Sequence, residues 1–228
     1  MNISTFVAAA AHDMKNSVSV IAAYLEDALA QLAEAGDAQP SQAALSTYQA
    51  LYETQRVNGN LVQLMAIFKL QEGMYPFEPT EVALDEFADE VTDRVRQLAR
   101  LKGLELVCDQ ENGLPTWFFD RDLINSVVVQ SLFNAVRYAR AKVGLSLRVR
   151  DGQLEIEVAD DGPGFPDFMM EQGFPSRQGI DVRTGSTGLG LFFSRMAAGL
   201  HERGGVRGST SLSNGGTLGG GRFVIALP

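Results

Sequence analysis

The sequence predicts an α+β protein, with an N-terminal helical hairpin followed by a two-layer α/β sandwich. Three observations predict this. The first 72 residues carry apolar side chains at helical spacing and contain one proline, Pro40. From Thr80 onward, helix-like and strand-like runs alternate. Between the two zones, EGMYPFEP (Glu72 to Pro79) holds two prolines and a glycine and reads as a linker. The expected organisation is a helical domain at 1–72, a linker at 73–79 and a sandwich domain at 80–228.

The elements follow in order. Val18, Ile21, Ala22, Leu25, Ala28, Leu29 and Leu32 mark the first helix. GDAQPSQ, Gly36 to Gln42, reads as a turn. Leu45, Tyr48, Leu51, Tyr52, Val57, Leu61, Leu64, Met65 and Phe68 mark the second helix. Two helices alone bury little, so the expectation is a homodimer whose four helices form a bundle. A helix is expected over Val82–Leu101, short strands at LELVCD and WFF, and a strongly apolar helix over Asp122–Ala141. VGLSLRVR and QLEIEVAD alternate at period two across Asp151-Gly152, a type I′ hairpin signal. A glycine-rich stretch runs from Gly162 to Gly190. A helix at Leu191–Leu200 and two closing strands, GVRGSTSLS and GRFVIALP, complete the chain, giving a largely antiparallel sheet.

Composition narrows the function classes. The 228 residues carry a net charge of −9, which disfavours a nucleic-acid backbone as partner. There is no apolar run near the roughly 18 to 20 residues that span a bilayer. The N-terminus lacks a basic n-region, so no signal peptide is expected and the expected compartment is the cytoplasm. The single cysteine, Cys108, excludes an intramolecular disulfide and a Cys cluster for metal. In its strand-like run it reads as a buried core thiol.

Glycines cluster in DDGPGF (Asp160 to Phe165) and GSTGLGLFF (Gly185 to Phe193). The first follows a strand and allows close backbone approach to a ligand, with Asp160 able to accept from an amine. The second runs into a helix, where free N–H groups suit phosphate. Neither has the GK[ST] ending of a P-loop, and together they do not form a dinucleotide fingerprint. Either alone is ordinary loop chemistry as readily as a ligand site. Asn134, in SLFNAVRYAR, interrupts an apolar helix, with Arg137 and Tyr138 on the same face. It is either an exposed polar position or an oxygen ligand facing a cleft. AHDMKNSVSV, Ala11 to Val20, sets His12, Asp13, Lys15 and Asn16 into a helical run. By itself that is a solvated polar face.

Taken in order, H-D-x-K-N, N-A-V-R-Y, D-D-G-P-G and G-S-T-G-L-G-L resemble a sensor histidine kinase of two-component signal transduction, over nearly the whole chain. The hairpin resembles the dimerisation and histidine phosphoacceptor domain. Residues from 80 on resemble the ATP-binding domain shared with gyrase and Hsp90, the Bergerat or GHKL fold. The closing G-x-F-x-x-x-L-P pattern, Gly221 to Pro228, also matches.

The resemblance implies a phosphotransferase that autophosphorylates His12 and passes the phosphoryl group to an aspartate of a response regulator receiver domain. His12 is the implied nucleophile, Asp13 the acid that fixes its tautomer and accepts its proton, and Asn16 the residue that orients water for regulator dephosphorylation. ATP and Mg²⁺ are the implied cofactors. Asn134 is the implied metal ligand, Arg137 a phosphate contact and Tyr138 an aromatic near the nucleotide. Asp160 is implied to accept the adenine amine, with Gly162 and Gly164 shaping the floor. Thr187, Gly188, Leu189 and Gly190 meet the triphosphate. Phe165 to Thr184, with Gly173, Phe174 and Gly179, is the implied lid.

The chain departs from the family at Ser17, where many relatives have Pro, and at Gln130, where many have a second Asn. His201 reads as structural or surface. No sensor segment is expected within the chain. Other readings are a phosphatase- or phosphotransfer-dominant protein, a non-catalytic dimeric adaptor that binds a regulator, and a Ser kinase of the anti-sigma type, which should lack the histidine hairpin.

Overall fold

A computed structural model describes residues 3–34, 42–110, 116–171 and 189–228. The chain divides into two compact units, Met1–Tyr75 and Pro76–Pro228.

The first unit is a pair of long helices packed on each other, α1 (Ile3–Glu34) and α2 (Gln42–Gln71). Leu29, Tyr48, Leu51 and Ile67 are buried between and beside them. A second set of apolar side chains is left uncovered, including Met14, Val20, Ile21, Tyr24, Val57 and Leu64. Tyr24 is 73% exposed. Both helices are thus apolar over a wider arc than one partner helix can cover.

The second unit is built on a five-stranded sheet of order β2-β4-β5-β9-β8, comprising Glu105–Gln110, Lys142–Arg150, Gln153–Asp160, Gly221–Leu227 and Ser209–Asn214. The β2–β4 pair is parallel and the other pairs are antiparallel, so the sheet is mixed. Strand alternation sorts the side chains. Val143, Leu145, Leu147, Leu154, Ile156, Phe223 and Ile225 bury one face. The other face carries charges such as Arg222 and Glu157, paired at 2.7 Å. Helices α3 (Leu84–Leu101), α4 (Arg121–Tyr138) and α6 (Leu189–Leu200) pack on the sheet and on each other. The short helix α5 spans Asp167–Glu171. Two ribbons complete the unit: β1 (Thr80–Ala83) with β3 (Thr116–Phe119), and β6 (Glu202–Arg203) with β7 (Val206–Arg207). The α+β, two-layer expectation agrees with this architecture.

The β4–β5 connection has the expected turn. Asp151 has φ 52° and Gly152 φ 77°, the paired positive values a type I′ turn requires.

Three local expectations differ from the structure. The helix expected from Val82 begins at Leu84, and Val82 instead lies in strand β1, paired with Trp117. Val82, Leu84 and Phe87 all point inward, so helical spacing alone absorbs the strand residue. The helix expected to reach Ala141 stops at Tyr138. Asp161 captures the backbone N–H groups of Arg140 (2.8 Å) and Ala141 (2.9 Å). The Lys102 ammonium donates to the carbonyls of Val136 (3.1 Å) and Arg137 (3.3 Å), closing the helix end. Cys108, expected in the core, is exposed. It faces the helix layer from the edge strand β2, in a groove shared with Asp89 and Arg96 rather than under a helix.

Candidate functional site

Asp160 ends β5 and is 8% exposed. Its Oδ1 accepts from the backbone N–H of Gly162 at 2.7 Å and of Gly221 at 3.3 Å. Burial raises its pKa, against the opposing pull of those two N–H groups. Both described hydrogen bonds fall on Oδ1, which leaves Oδ2 as the oxygen able to take an amine.

The floor around this carboxylate admits no side chain. A Cβ on Gly162 would collide with the Tyr138 carbonyl oxygen and sit 2.7 Å from Asp160 Oδ1. A Cβ on Gly220 would sit 2.5 Å from the Asp160 carbonyl oxygen and 2.6 Å from the Gly162 nitrogen. The DDGPG turn, the end of α4 and the start of β9 therefore touch backbone to backbone.

Neighbouring residues hold the turn in place. Asn214 clamps Phe165 from β8: its Oδ1 accepts from the Phe165 N–H (2.7 Å) and its Nδ2 donates to the Phe165 carbonyl (2.8 Å). Asp161 ties the same turn to the exit of α4. Burial opposes the charge on Asp161, but the N–H groups of Ala141, Lys142 and Arg140 outweigh it and hold the carboxyl below its ordinary value.

Helix α4 carries the other expected residues. Asp120 caps its start by accepting from Leu123 N–H at 3.1 Å. Asn134, Arg137 and Tyr138 are all exposed on its last turns. The Arg137 guanidinium lies 5.3 Å from the Tyr138 ring centroid. Gln130, one turn earlier, is half-buried. Tyr138 joins this group to Asp160 through its backbone contact with Gly162. Leu189 and Gly190 are the first two residues of α6, and the Gly190 carbonyl accepts from Ser194 Oγ at 2.7 Å.

The structure thus brings Tyr138, Asp160 and Gly162 together, with Asn134 and Arg137 on the same helix end and Gly164 in the adjoining turn. Gly173, Phe174, Gly179, Thr187 and Gly188 lie outside the described residues. His12 and Asp13 lie in the backbone of α1, but their side chains are outside the described set. Asn16, on the same helix, is exposed.

His201 is buried and structural. Its Nε2 accepts from Asp120 N–H at 2.9 Å, and its Nδ1 donates to the Ala197 carbonyl at 2.8 Å. Sequence motifs alone do not single out Asp161, Asn214, Lys102 and Gly220. The second Asp of DDGPG and the glycine run before the last strand were visible signals for two of these. Asn214 and Lys102 act through partners far off in sequence and had none.

Comparison with known proteins finds similarity to one family and to its sensory members. Residues 119–228 match the family described as histidine kinase-, DNA gyrase B-, and HSP90-like ATPase. The adaptive-response sensory kinase SasA of Crocosphaera subtropica is 26% identical over 191 residues, 81% of this chain and 49% of that protein. The sensor-like histidine kinase SenX3 of Mycolicibacterium smegmatis is 27% identical over 230 residues, covering 98% of this chain and 56% of that protein. The chain thus spans about half the length of these curated relatives. Among solved structures, full-length ShkA in complex with AMPPNP shares the fold, with a TM-score of 0.64 and 19% identity, covering 98% of this chain and 45% of that one. The carboxylate-and-glycine floor at Asp160 falls within the segment that matches the histidine kinase-, DNA gyrase B- and HSP90-like ATPase family, in a chain that is similar along most of its length to sensory kinases.

Proposed function

We propose that this chain is an ATP-dependent protein-histidine kinase that phosphorylates His12 and passes the phosphoryl group to an aspartate on a response regulator receiver domain. The observation that carries the reading is Asp160. A buried carboxylate with Oδ1 already bonded to two backbone N–H groups is suited to accept the exocyclic amine of adenine through Oδ2. The glycine floor lets the flat base lie against backbone, and Arg137 supplies positive charge for phosphate.

Mg²⁺ fits the donors present. Among the described residues there is no cluster of three or more acidic, His or Cys ligands. The donors described suit an ion that keeps its waters and phosphate oxygens and takes one or two protein oxygens. Asn134 would supply its amide oxygen. The ion would neutralise charge on the phosphates.

In the proposed step, a lone pair of the His12 imidazole attacks the γ-phosphorus in line. The new N–P bond forms as the bond to the bridging oxygen breaks, and ADP leaves with that electron pair. Asp13 takes the proton from the other ring nitrogen. Asn16 would orient water for the reverse activity on the regulator. The uncovered apolar stripe of α1 and α2 supports a homodimeric four-helix bundle, since a second helix pair would bury Tyr24, Ile21 and Met14. No helix among the described residues is long and apolar enough to cross a membrane.

The test is transfer in two stages. Labelled ATP should give a phosphorylated chain that, freed of nucleotide, loses its label to a receiver domain. A chain that is never labelled, or a label that no receiver domain of the host accepts, would contradict the proposal.

A further inference from the structure

One imidazole joins both helices that frame the nucleotide site. His201 follows the last residue of α6, and its Nδ1 donates back to the Ala197 carbonyl (2.8 Å). Its Nε2 accepts from the backbone N–H of Asp120, the residue that caps α4 (2.9 Å). The Asp120 side chain is shared as well: Oδ1 takes Leu123 N–H, and Oδ2 takes the N–H of Glu78 at 3.1 Å. The Phe77 ring stands edge-on to the imidazole, with centroids 5.1 Å apart. Both residues are buried, at 4% exposed for His201 and 5% for Asp120. The linker peptide, the start of α4 and the end of α6 therefore meet at one buried point.

The candidate nucleotide residues lie at the opposite ends of the same two helices. Asn134 is about 21 Å along α4 from Asp120, and Gly190 about 16 Å along α6 from His201, at 1.5 Å per residue. Helices α4 and α6 also pack on each other. Two rigid rods joined at one end transmit a small change there to the spacing at the other.

We propose that His201 and Asp120 are a positioning pair that sets how α4 and α6 diverge, and so the spacing between Asn134 with Arg137 and Gly190 at the start of α6, with the linker peptide at Glu78 tied into the same pair. Neither residue touches nucleotide. The pair acts through the helices it joins, and a displacement of the linker reaches the site through Asp120 Oδ2. The inference rests on the nucleotide reading of the Asp160 site.

The test compares binding of a non-hydrolysable ATP analogue with thermal unfolding, using the full chain. His201→Phe keeps the ring beside Phe77 but removes both hydrogen bonds. His201→Gln restores an acceptor for Asp120 N–H. Leu154→Ala opens the core at the far end of β5 from Asp160 and serves as a stability control. His201→Phe should weaken analogue binding by about fivefold or more. His201→Gln should recover most of that loss. Leu154→Ala should lower the unfolding temperature without weakening binding at temperatures where it is folded. If His201→Phe does not fold, Glu78→Pro decides, because it deletes the Glu78 N–H that donates to Asp120 Oδ2 and should weaken binding in the same direction. Unchanged binding in the folded His201→Phe or Glu78→Pro protein would overturn the positioning role. A wild-type chain that binds no analogue would overturn the nucleotide reading itself.

Discussion

Replacing Asp160 with Asn separates what the site costs the fold from what it supplies to the ligand. Asn is isosteric, and its Oδ1 can still accept from Gly162 and Gly221. The other oxygen becomes an NH₂ group, a donor where an adenine amine also donates. The loss is one hydrogen bond to a charged group, about 1.5–3 kcal/mol. At 1.4 kcal/mol per tenfold change, ATP affinity should fall by about 10- to 150-fold. Stability should move the other way. Burial raises the Asp160 pKa above its ordinary 3.8, so the native state binds its proton more tightly than the unfolded state. Wild-type stability from this group therefore falls as pH rises through that window, and the ionised carboxylate is a cost at neutral pH. The Asn variant lacks that slope. Calorimetric titration with an ATP analogue and thermal unfolding across about pH 4 to 7 would read both effects. Wild-type affinity in Asp160→Asn would refute the role given to Oδ2. A lower unfolding temperature at neutral pH would refute the account of its cost.

Gly162→Ala drives a methyl group into the Tyr138 carbonyl and Asp160 Oδ1, so the variant should lose about 1–3 kcal/mol by denaturant unfolding together with ATP affinity. Asn16→Ala, at an exposed position, should leave stability and self-phosphorylation near wild type while slowing regulator dephosphorylation, read as the lifetime of the phosphorylated receiver domain. His201 gives a pH signature. Burial lowers its pKa below 6.5, against the pull of the Ala197 carbonyl and the Asp120 carboxylate. A base with a depressed native pKa stabilises the fold above its unfolded value, and that share is lost as pH falls through 6.5 toward the native value. The stability difference between wild type and His201→Phe should therefore shrink on acidification over that range. A constant difference would contradict the hydrogen-bonding scheme.

Local periodicity carried much of the fold. The stripe from Val18 to Leu32 and its counterpart in α2 announce two helices, because a helix buries one face whatever it packs against. Asp151-Gly152 announces the β4–β5 turn, because few residue pairs adopt two positive φ values. The glycine boxes were legible for a related reason: close backbone approach excludes side chains, and Gly162 meets the Tyr138 carbonyl. What local sequence could not carry depends on distant partners. Strand β1 exists because Thr116–Phe119, over thirty residues on, pairs with it. Helix α4 stops at Tyr138 because Asp161 and Lys102 satisfy its end. Cys108 is exposed because β2 is an edge strand, a property of sheet order rather than of LELVCD. His201 resembled surface or scaffold in sequence, and its role as a bridge between α4 and α6 emerges only in three dimensions.

The proposed function turns on transfer of a phosphoryl group from ATP held at Asp160 to His12. The most direct measurement is the position of that group after incubation with ATP, by peptide mapping at alkaline pH, where a phosphoramidate survives. One phosphoryl group on the peptide containing His12, labile to acid, absent from His12→Gln and strongly reduced in Asp160→Asn, is the predicted result. A phosphoryl group on a Ser, Thr or Asp residue, or one that persists in His12→Gln, would contradict the account.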